Sequence, residues 1–298
     1  MAKILYNDGK WDGIWDLPKY QEMRDKITEA FKDLTFVEEG HKYFLHGKEI
    51  TCVSNVTHMF KEPFHAHEKA IETSERNYNN PDSKYYRMTP EEIEEAWKLN
   101  SQQACEHGTE RHLFAENLYY YWTKQYDKIC SELQNRLTED GGFTALYPKE
   151  EAAGMFYKNM PKCLVPIMPE TKVYSEKYGF SGTFDLLCYY DAKLEGKDEK
   201  NNGLFVLDWK TNKDLYKNFN EQKLLNPFEG LLDMPISLYK LQLSCYSLCL
   251  EDIGMKVIAR RLMWLKPDGS YDKIPLESYV APLRKALSDI NLSKAEHS

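Results

Sequence analysis

Four runs rich in Val, Leu, Phe, Tyr and Trp, at 170–177, 183–190, 203–211 and 257–265, constrain the fold of this chain more than any other feature. Each is bounded by Gly, Asn or charged residues, the pattern of strands closed by turns. Stretches at about 239–252 and 277–290 carry apolar residues at helical spacing and predict helices. Strands interleaved with helices place the chain in the α/β class. The charged stretch EGKDEKNN (195–202) reads as an exposed hairpin loop, and no internal repeat occurs.

The first half is more helical. Tyr20, Met23, Ile27, Ala30 and Phe31 lie three and four apart, which predicts one or two short amphipathic helices over the first thirty-five residues. Residues 36–50 alternate β-formers with the turn pairs Glu39-Gly40 and His46-Gly47, as a small meander does. Segment 76–88 is rich in Asn, Pro and Asp and reads as a long loop. Thr89-Pro90-Glu91-Glu92 is a helix start, with Thr as cap, Pro in the first turn and Glu92 closing a capping box. That helix runs to about Trp122, with Gly108 as its point of interruption. Residues 131–160 read as helical again, split by a turn at Asp140-Gly141-Gly142.

Composition bounds the function. The 298 residues are 42% apolar and 13% aromatic, enough for a real core and unlike a disordered chain. A single domain is expected, divided into an N-terminal extension (1–88), a core (89–265) and a C-terminal helix and tail (266–298). No apolar run is long enough to cross a membrane, and the N-terminus meets charges and Gly too early for a signal peptide, so a cytoplasmic protein is expected. The seven cysteines include no CxxC pair and read as reduced, mostly packed thiols. A net charge of -8 excludes a uniformly basic surface, though not a local basic groove.

Within this frame, the run Gly203–Thr211 is unusual: a hydrophobic strand ends with an acid and a lysine two residues apart. Alternation puts Val206, Asp208 and Lys210 on one face. The triplet D-x-K occurs five times, from Asp8, Asp82, Asp191, Asp198 and Asp208, and only the last ends a buried-looking strand. The preceding strand carries a lone carboxylate, Asp185, in the run GTFDLL; burial there requires a partner or a cation. On adjacent strands Asp185 and Asp208 converge, and a hard divalent cation, Mg²⁺ or Mn²⁺, relieves their repulsion. Such a site suits phosphodiester hydrolysis, with Lys210 as a point charge beside the nucleophile. His112 and Glu116 share one face of the long helix with Gly108 and Ala104. Gln242 and Tyr246 share a face of an otherwise apolar helix, where a buried amide needs partners.

The order GTxxH (108–112) with Glu116, then GTFD (182–185), DWKT (208–211) and QLxxY (242–246), resembles the PD-(D/E)XK nucleases, in particular their RecB-type exonuclease branch. The match is densest over 170–250, with an anchor at 108–116 and a weaker echo at 41–56. The resemblance implies a restriction-endonuclease-like core, a mixed central β-sheet flanked by helices, with an N-terminal helical and β-hairpin extension. It implies that His112, Asp185 and Asp208 are metal ligands, with the Trp209 carbonyl as a further one. Lys210 would be the catalytic lysine, and Gln242 and Tyr246 would orient the lysine, the water or the DNA backbone. Either Glu170 or Glu176 would supply the acid that the family carries upstream, and Glu116 would be a ligand or stand behind one.

The resemblance also implies DNA as partner, as duplex ends or single strands, together with a recombination or helicase partner protein and no membrane. Some members hold an iron-sulfur cluster with three cysteines after the QxxxY helix; no cysteine follows Cys249 here, so Mg²⁺ or Mn²⁺ is expected without a cluster. Thr211 and the insertion at 212–237, with Lys213, Lys217, Lys223, Tyr216, Phe219 and Phe228, would contact DNA, since phosphates attract Lys and unpaired bases stack on rings. The preferred reading is an exonuclease of phage or bacterial recombination or repair. The alternatives are a DNA-end-binding module without turnover and a structure-specific endonuclease or ribonuclease using the same site.

Overall fold

The chain opens with a strand that its sequence does not advertise. In the computed structural model, which describes residues 2–218 and 221–296, β1 (Lys3–Tyr6) precedes the expected helix α1 (Pro18–Ala30). Proline starts α1, where its missing N–H costs nothing, and Tyr20 and Ile27 are buried on the expected face. The meander follows as β2 (Leu34–Val37), β3 (Lys42–Leu45) and β4 (Lys48–Cys52). Leu45 pairs with Lys48, and the two residues between them both take positive φ, 49° at His46 and 77° at Gly47. That is the turn whose twist matches antiparallel strands.

Next come α2 (Val53–His58), α3 (Ala66–Asn77) and α4 (Pro90–Trp122). The capping box of α4 is present: Thr89 Oγ1 accepts from Glu92 N–H at 3.3 Å, and Glu92 Oε2 accepts from Thr89 N–H at 2.8 Å. The helix runs unbroken through Gly108, contrary to the expected interruption. Residues 131–160 are not two helices. Ser131–Arg136 is a 3₁₀ turn, β5 (Gly142–Ala145) is a strand, and only α5 (Pro148–Asn159) is an α-helix. β5 pairs antiparallel with β1, Ile4 against Thr144, so two short segments stabilise each other across the sequence.

The remaining elements are β6 (Leu164–Ser175), β7 (Phe180–Tyr190), β8 (Gly203–Lys210), α6 (Pro235–Asp252), β9 (Val257–Leu265), β10 (Tyr271–Leu276) and α7 (Val280–Glu296). The strand β10 was not expected within 266–298. The chain forms two compact units: one runs to Lys61 and resumes at His112, and the other is Glu62–Arg111. In the smaller unit, Ser74 Oγ donates to Met88 O at 2.7 Å and Trp97 Nε1 to Tyr85 Oη at 2.8 Å, tying α3 and the loop after it to the start of α4.

The larger unit is mixed α/β, with a mixed sheet between helices. β9 runs parallel to β8, while β10, β6 and β8 run antiparallel to their neighbours β9, β7 and β7. α6 lies across β6 to β9 with α2 and α7 beside it, and α5 packs against β9, β10 and β5. Alternation along β8 serves both layers: Trp209 packs edge-on against Phe156 of α5 at 5.0 Å, while Lys210 faces Tyr239 of α6. Among the described residues, no helix is long and apolar enough to cross a membrane.

The sheet forks at β7. β6 pairs along one edge, from Leu164 opposite Tyr190 to Ser175 opposite Phe180, with a register shift between Pro166 and Met168 and a gap in the ladder at Glu170. The other edge is shared: β8 takes residues 186–190, and β4 takes Phe180 and Ser181. Between them, residues 182–185 of β7 have no strand partner on that edge among the described residues. This notch holds Asp185.

Candidate metal centre

Asp208 and Lys210 stand at the end of β8 on the same face, as period-two alternation requires. Asp208 is 2% exposed and ion-paired with Lys210, whose ammonium lies 4.5 Å from the ring centroid of Tyr239. Tyr239 Oη donates to Asn212 Oδ1 at 3.0 Å, fixing the ring under the lysine. Burial, and then the Asp185 charge, push the Asp208 carboxyl up to about 7 against the pull of Lys210. Burial disfavours the Lys210 ammonium, but Asp208 and Asp185 outweigh it and raise its pKa.

Continuing the β7–β8 register one step past Leu186 and Leu207 brings Asp185 opposite Asp208. Because the strands part there, the Asp185 side chain fills the missing ladder position and accepts the Trp209 backbone N–H. Its other oxygen meets His112 Nδ1 of α4 at 3.1 Å. Burial pushes the Asp185 carboxyl up, yet His112, Lys210 and the Trp209 N–H together hold it below its ordinary value. The imidazole shows the converse: burial lowers its pKa, and Asp185 more than restores it, so the net shift is upward.

Glu170 completes the cluster. It sits between Pro169 and Thr171, which pair with Leu186 and Phe184 on either side of Asp185, and takes φ 38°, in the left-handed region that favours glycine. Such a conformation costs a side-chain-bearing residue about 1–3 kcal/mol and persists only where the surroundings impose it. Glu170 Oε1 is buried without a hydrogen-bond partner among the described residues. Burial, with Asp185, Glu116 and Asp208 nearby, raises its carboxyl well above the usual range. One ligand atom each from His112, Glu170 and Asp185 lies within 4.8 Å of the others. An imidazole and crowded carboxylates with an unsatisfied buried oxygen form a donor set that suits a divalent cation.

Of the two acids that sequence left open, Glu170 lies in the cluster with His112 and Asp185, and Glu176 lies in the exposed turn between β6 and β7. Glu116, one turn beyond His112, accepts from Tyr120 Oη at 3.4 Å, and burial raises its carboxyl. Gln242 Nε2 donates to Tyr246 Oη at 2.9 Å, and the Tyr246 ring packs on Phe184, so this pair buttresses β7. The α6 side chain over the lysine is Tyr239, which sequence reading missed. Its spacing was the available signal, since 239, 242 and 246 follow one helical face.

Gly182 of the GTFD run sits where a Cβ would approach Tyr246 Cε1 to 2.8 Å and Val53 Cγ2 to 3.1 Å, so only glycine lets α6 and α2 close on the notch. The insertion at 212–237 is partly anchored rather than wholly a flap. Phe228, expected to meet DNA, is buried against Phe60 and Tyr279. Leu215 and Leu224 are buried as well. Lys213, Lys217 and Lys223 are exposed, as is Tyr216 at 53%. The Thr211 carbonyl accepts from Lys149 Nζ at 2.7 Å. Phe219 lies outside the described residues. No family model matches the chain, and no curated protein matches it.

Proposed function

We propose that the chain is a Mg²⁺- or Mn²⁺-dependent deoxyribonuclease of the PD-(D/E)XK type, acting as an exonuclease at DNA ends in phage or bacterial recombination or repair. The observation that carries this reading is the His112–Glu170–Asp185 cluster set beside the buried Asp208–Lys210 pair. His112, Glu170 and Asp185 would hold the cation, with Asp208 adjacent. A divalent cation there lowers the pKa of water and neutralises charge on phosphate oxygens.

The chain's own residues supply the rest. Lys210 brings a fixed positive charge, clamped between Asp208 and the Tyr239 ring. The Trp209 N–H and His112 hold both oxygens of Asp185, so that carboxylate cannot swing away. Exposed Lys213, Lys217 and Lys223 follow β8 directly in sequence and offer phosphate contacts, with Tyr216 as a stacking ring. Residues 62–111 contain 11 acidic and 6 basic side chains, so five of the eight net negative charges belong to the smaller unit. The larger unit is therefore closer to neutral, and four of its acids, Glu116, Glu170, Asp185 and Asp208, lie where a cation would offset them.

The test is digestion of end-labelled linear and covalently closed DNA, in Mg²⁺ and in EDTA, beside Asp208→Ala and Lys210→Ala. Linear DNA should be degraded only with the cation and only by the native chain. Equal attack on closed circles removes the exonuclease assignment. Binding to ends without cleavage in Mg²⁺ or Mn²⁺ makes the chain a binding module, and cleavage by both variants places the chemistry elsewhere.

A further inference from the structure

On the sheet face opposite Asp208 and Lys210, a groove of about 300 Å³ opens between α5 and strands β8 to β10. Its volume is at the lower end of those that take small ligands, about 300–1,000 Å³. Phe205 and Leu207 of β8 point into it, as alternation from Asp208 requires, and Phe156 and Tyr190 form further walls. Tyr190 and Phe205 are ring neighbours at 6.2 Å.

Three cations line this groove, Lys197, Arg261 and Lys273, and only Lys197 is paired with a carboxylate among the described residues. Arg261 of β9 pairs with Pro275 and Lys273 of β10 with Met263, which makes Arg261 and Lys273 diagonal neighbours on one face. The Arg261 guanidinium lies 4.9 Å from the Phe205 ring centroid, and Lys273 Nζ lies 5.9 Å from that of Phe156. Neither has a carboxylate within salt-bridge distance among the described residues, although the chain has 47 acidic side chains against 39 basic ones. Like charges side by side on a sheet repel; partial desolvation of its ammonium against the groove, and then Arg261, lower the Lys273 pKa although much of the side chain meets solvent. The one carboxylate in the lining, Glu195, is already committed. It accepts from the Cys163 thiol at 2.9 Å and from Tyr190 Oη at 2.9 Å, and it pairs with Lys197 at 2.5 Å.

Cations held against rings, with no acid to answer them, form a site for an anion that carries a flat apolar group. We propose that this groove binds a nucleoside phosphate, with Arg261 and Lys273 on the phosphate and the half-buried rings of Phe205 and Tyr190 along the base. A free mononucleotide and one unit of a single strand present the same chemistry. The site shares no residue with the candidate metal centre and does not depend on hydrolysis.

The experiment is calorimetric titration of the full chain in EDTA with dAMP, deoxyadenosine, inorganic phosphate and a short oligothymidylate. The native chain should bind dAMP, the oligonucleotide or both, and more tightly than it binds phosphate or nucleoside alone. Lys273→Gln and Arg261→Gln should each weaken binding about tenfold, the loss of one charge-assisted hydrogen bond, while Glu176→Gln, in the exposed turn between β6 and β7, leaves it unchanged. Lys273 is exposed, so its variant keeps the fold, and a melting curve verifies this. Binding of dAMP assigns the groove to mononucleotides, and binding of the oligonucleotide alone assigns it to a strand. The proposal is overturned if neither binds, if phosphate binds as tightly as dAMP, or if both groove substitutions leave affinity unchanged.

Discussion

Adding a divalent cation to the metal-free protein should raise its melting temperature, and the structure sets both the size and the mutational pattern of the effect. Glu170, Asp185 and Asp208 are crowded, and one Glu170 oxygen is buried without a partner. A cation that binds only the folded chain stabilises it by about 2.7 kcal/mol at a hundred times its dissociation constant. For 298 residues, an unfolding entropy of about 2.1 cal/mol/K per residue converts this to a rise of about 4 °C. Glu170→Gln and Asp185→Asn each remove one ligand charge, and Asn at 185 still offers an oxygen to the Trp209 N–H. A hundredfold loss of affinity leaves about 0.4 kcal/mol, a rise under about 1 °C. Glu176→Gln, in the exposed turn, should respond like the native chain. The assay is a melting curve in EDTA and in saturating Mn²⁺ for all four proteins. No rise in the native chain, or an equal rise in every variant, refutes the reasoning.

Gly182→Ala should destabilise the chain by about 1–3 kcal/mol in urea unfolding, because its Cβ meets the buried Tyr246 ring and Val53; a change below about 0.5 kcal/mol contradicts this packing. Phe228→Ala should cost about 3–5 kcal/mol, while Tyr216→Ala at its 53% exposed position should leave stability within about 0.5 kcal/mol. Equal effects would mean that the insertion is not anchored as described. Asp191 is buried where β7 ends and accepts from Lys19 and Tyr20 of α1. Burial pushes its carboxyl up, but these partners hold it below the ordinary 3.8. A depressed carboxyl stabilises above its unfolded value and loses that contribution as pH falls through the folded one. The stability difference between native chain and Asp191→Asn should therefore be constant near neutrality and shrink only below about pH 4; a difference that grows in acid would reverse the sign.

The strands β7 to β9 and the second half of β6 were legible because β-branched and aromatic runs between turn residues have few other uses. The α4 capping box and the His46-Gly47 turn were legible because each is decided within four residues. β1 and β5 were not, since each has four residues and becomes a strand only by pairing with the other. Sequence brought His112, Asp185, Asp208 and Lys210 forward, and the fold places them together. It could not choose between Glu170 and Glu176, because the place of Glu170 in the cluster rests on the β6–β7 register and on a left-handed backbone at that residue. Phe228 and Tyr216 looked alike in sequence; only the packing of Phe60 and Tyr279 separates an anchor from an exposed ring.

The central claim, that His112, Glu170 and Asp185 form a cation site beside Lys210, is tested most directly by locating the ion. Crystals soaked in Mn²⁺ should show an anomalous scattering peak within about 2.0–2.3 Å of an oxygen of Glu170, an oxygen of Asp185 and a ring nitrogen of His112, and that peak should vanish in Asp185→Asn. A peak elsewhere, or none at these three residues, would contradict the claim.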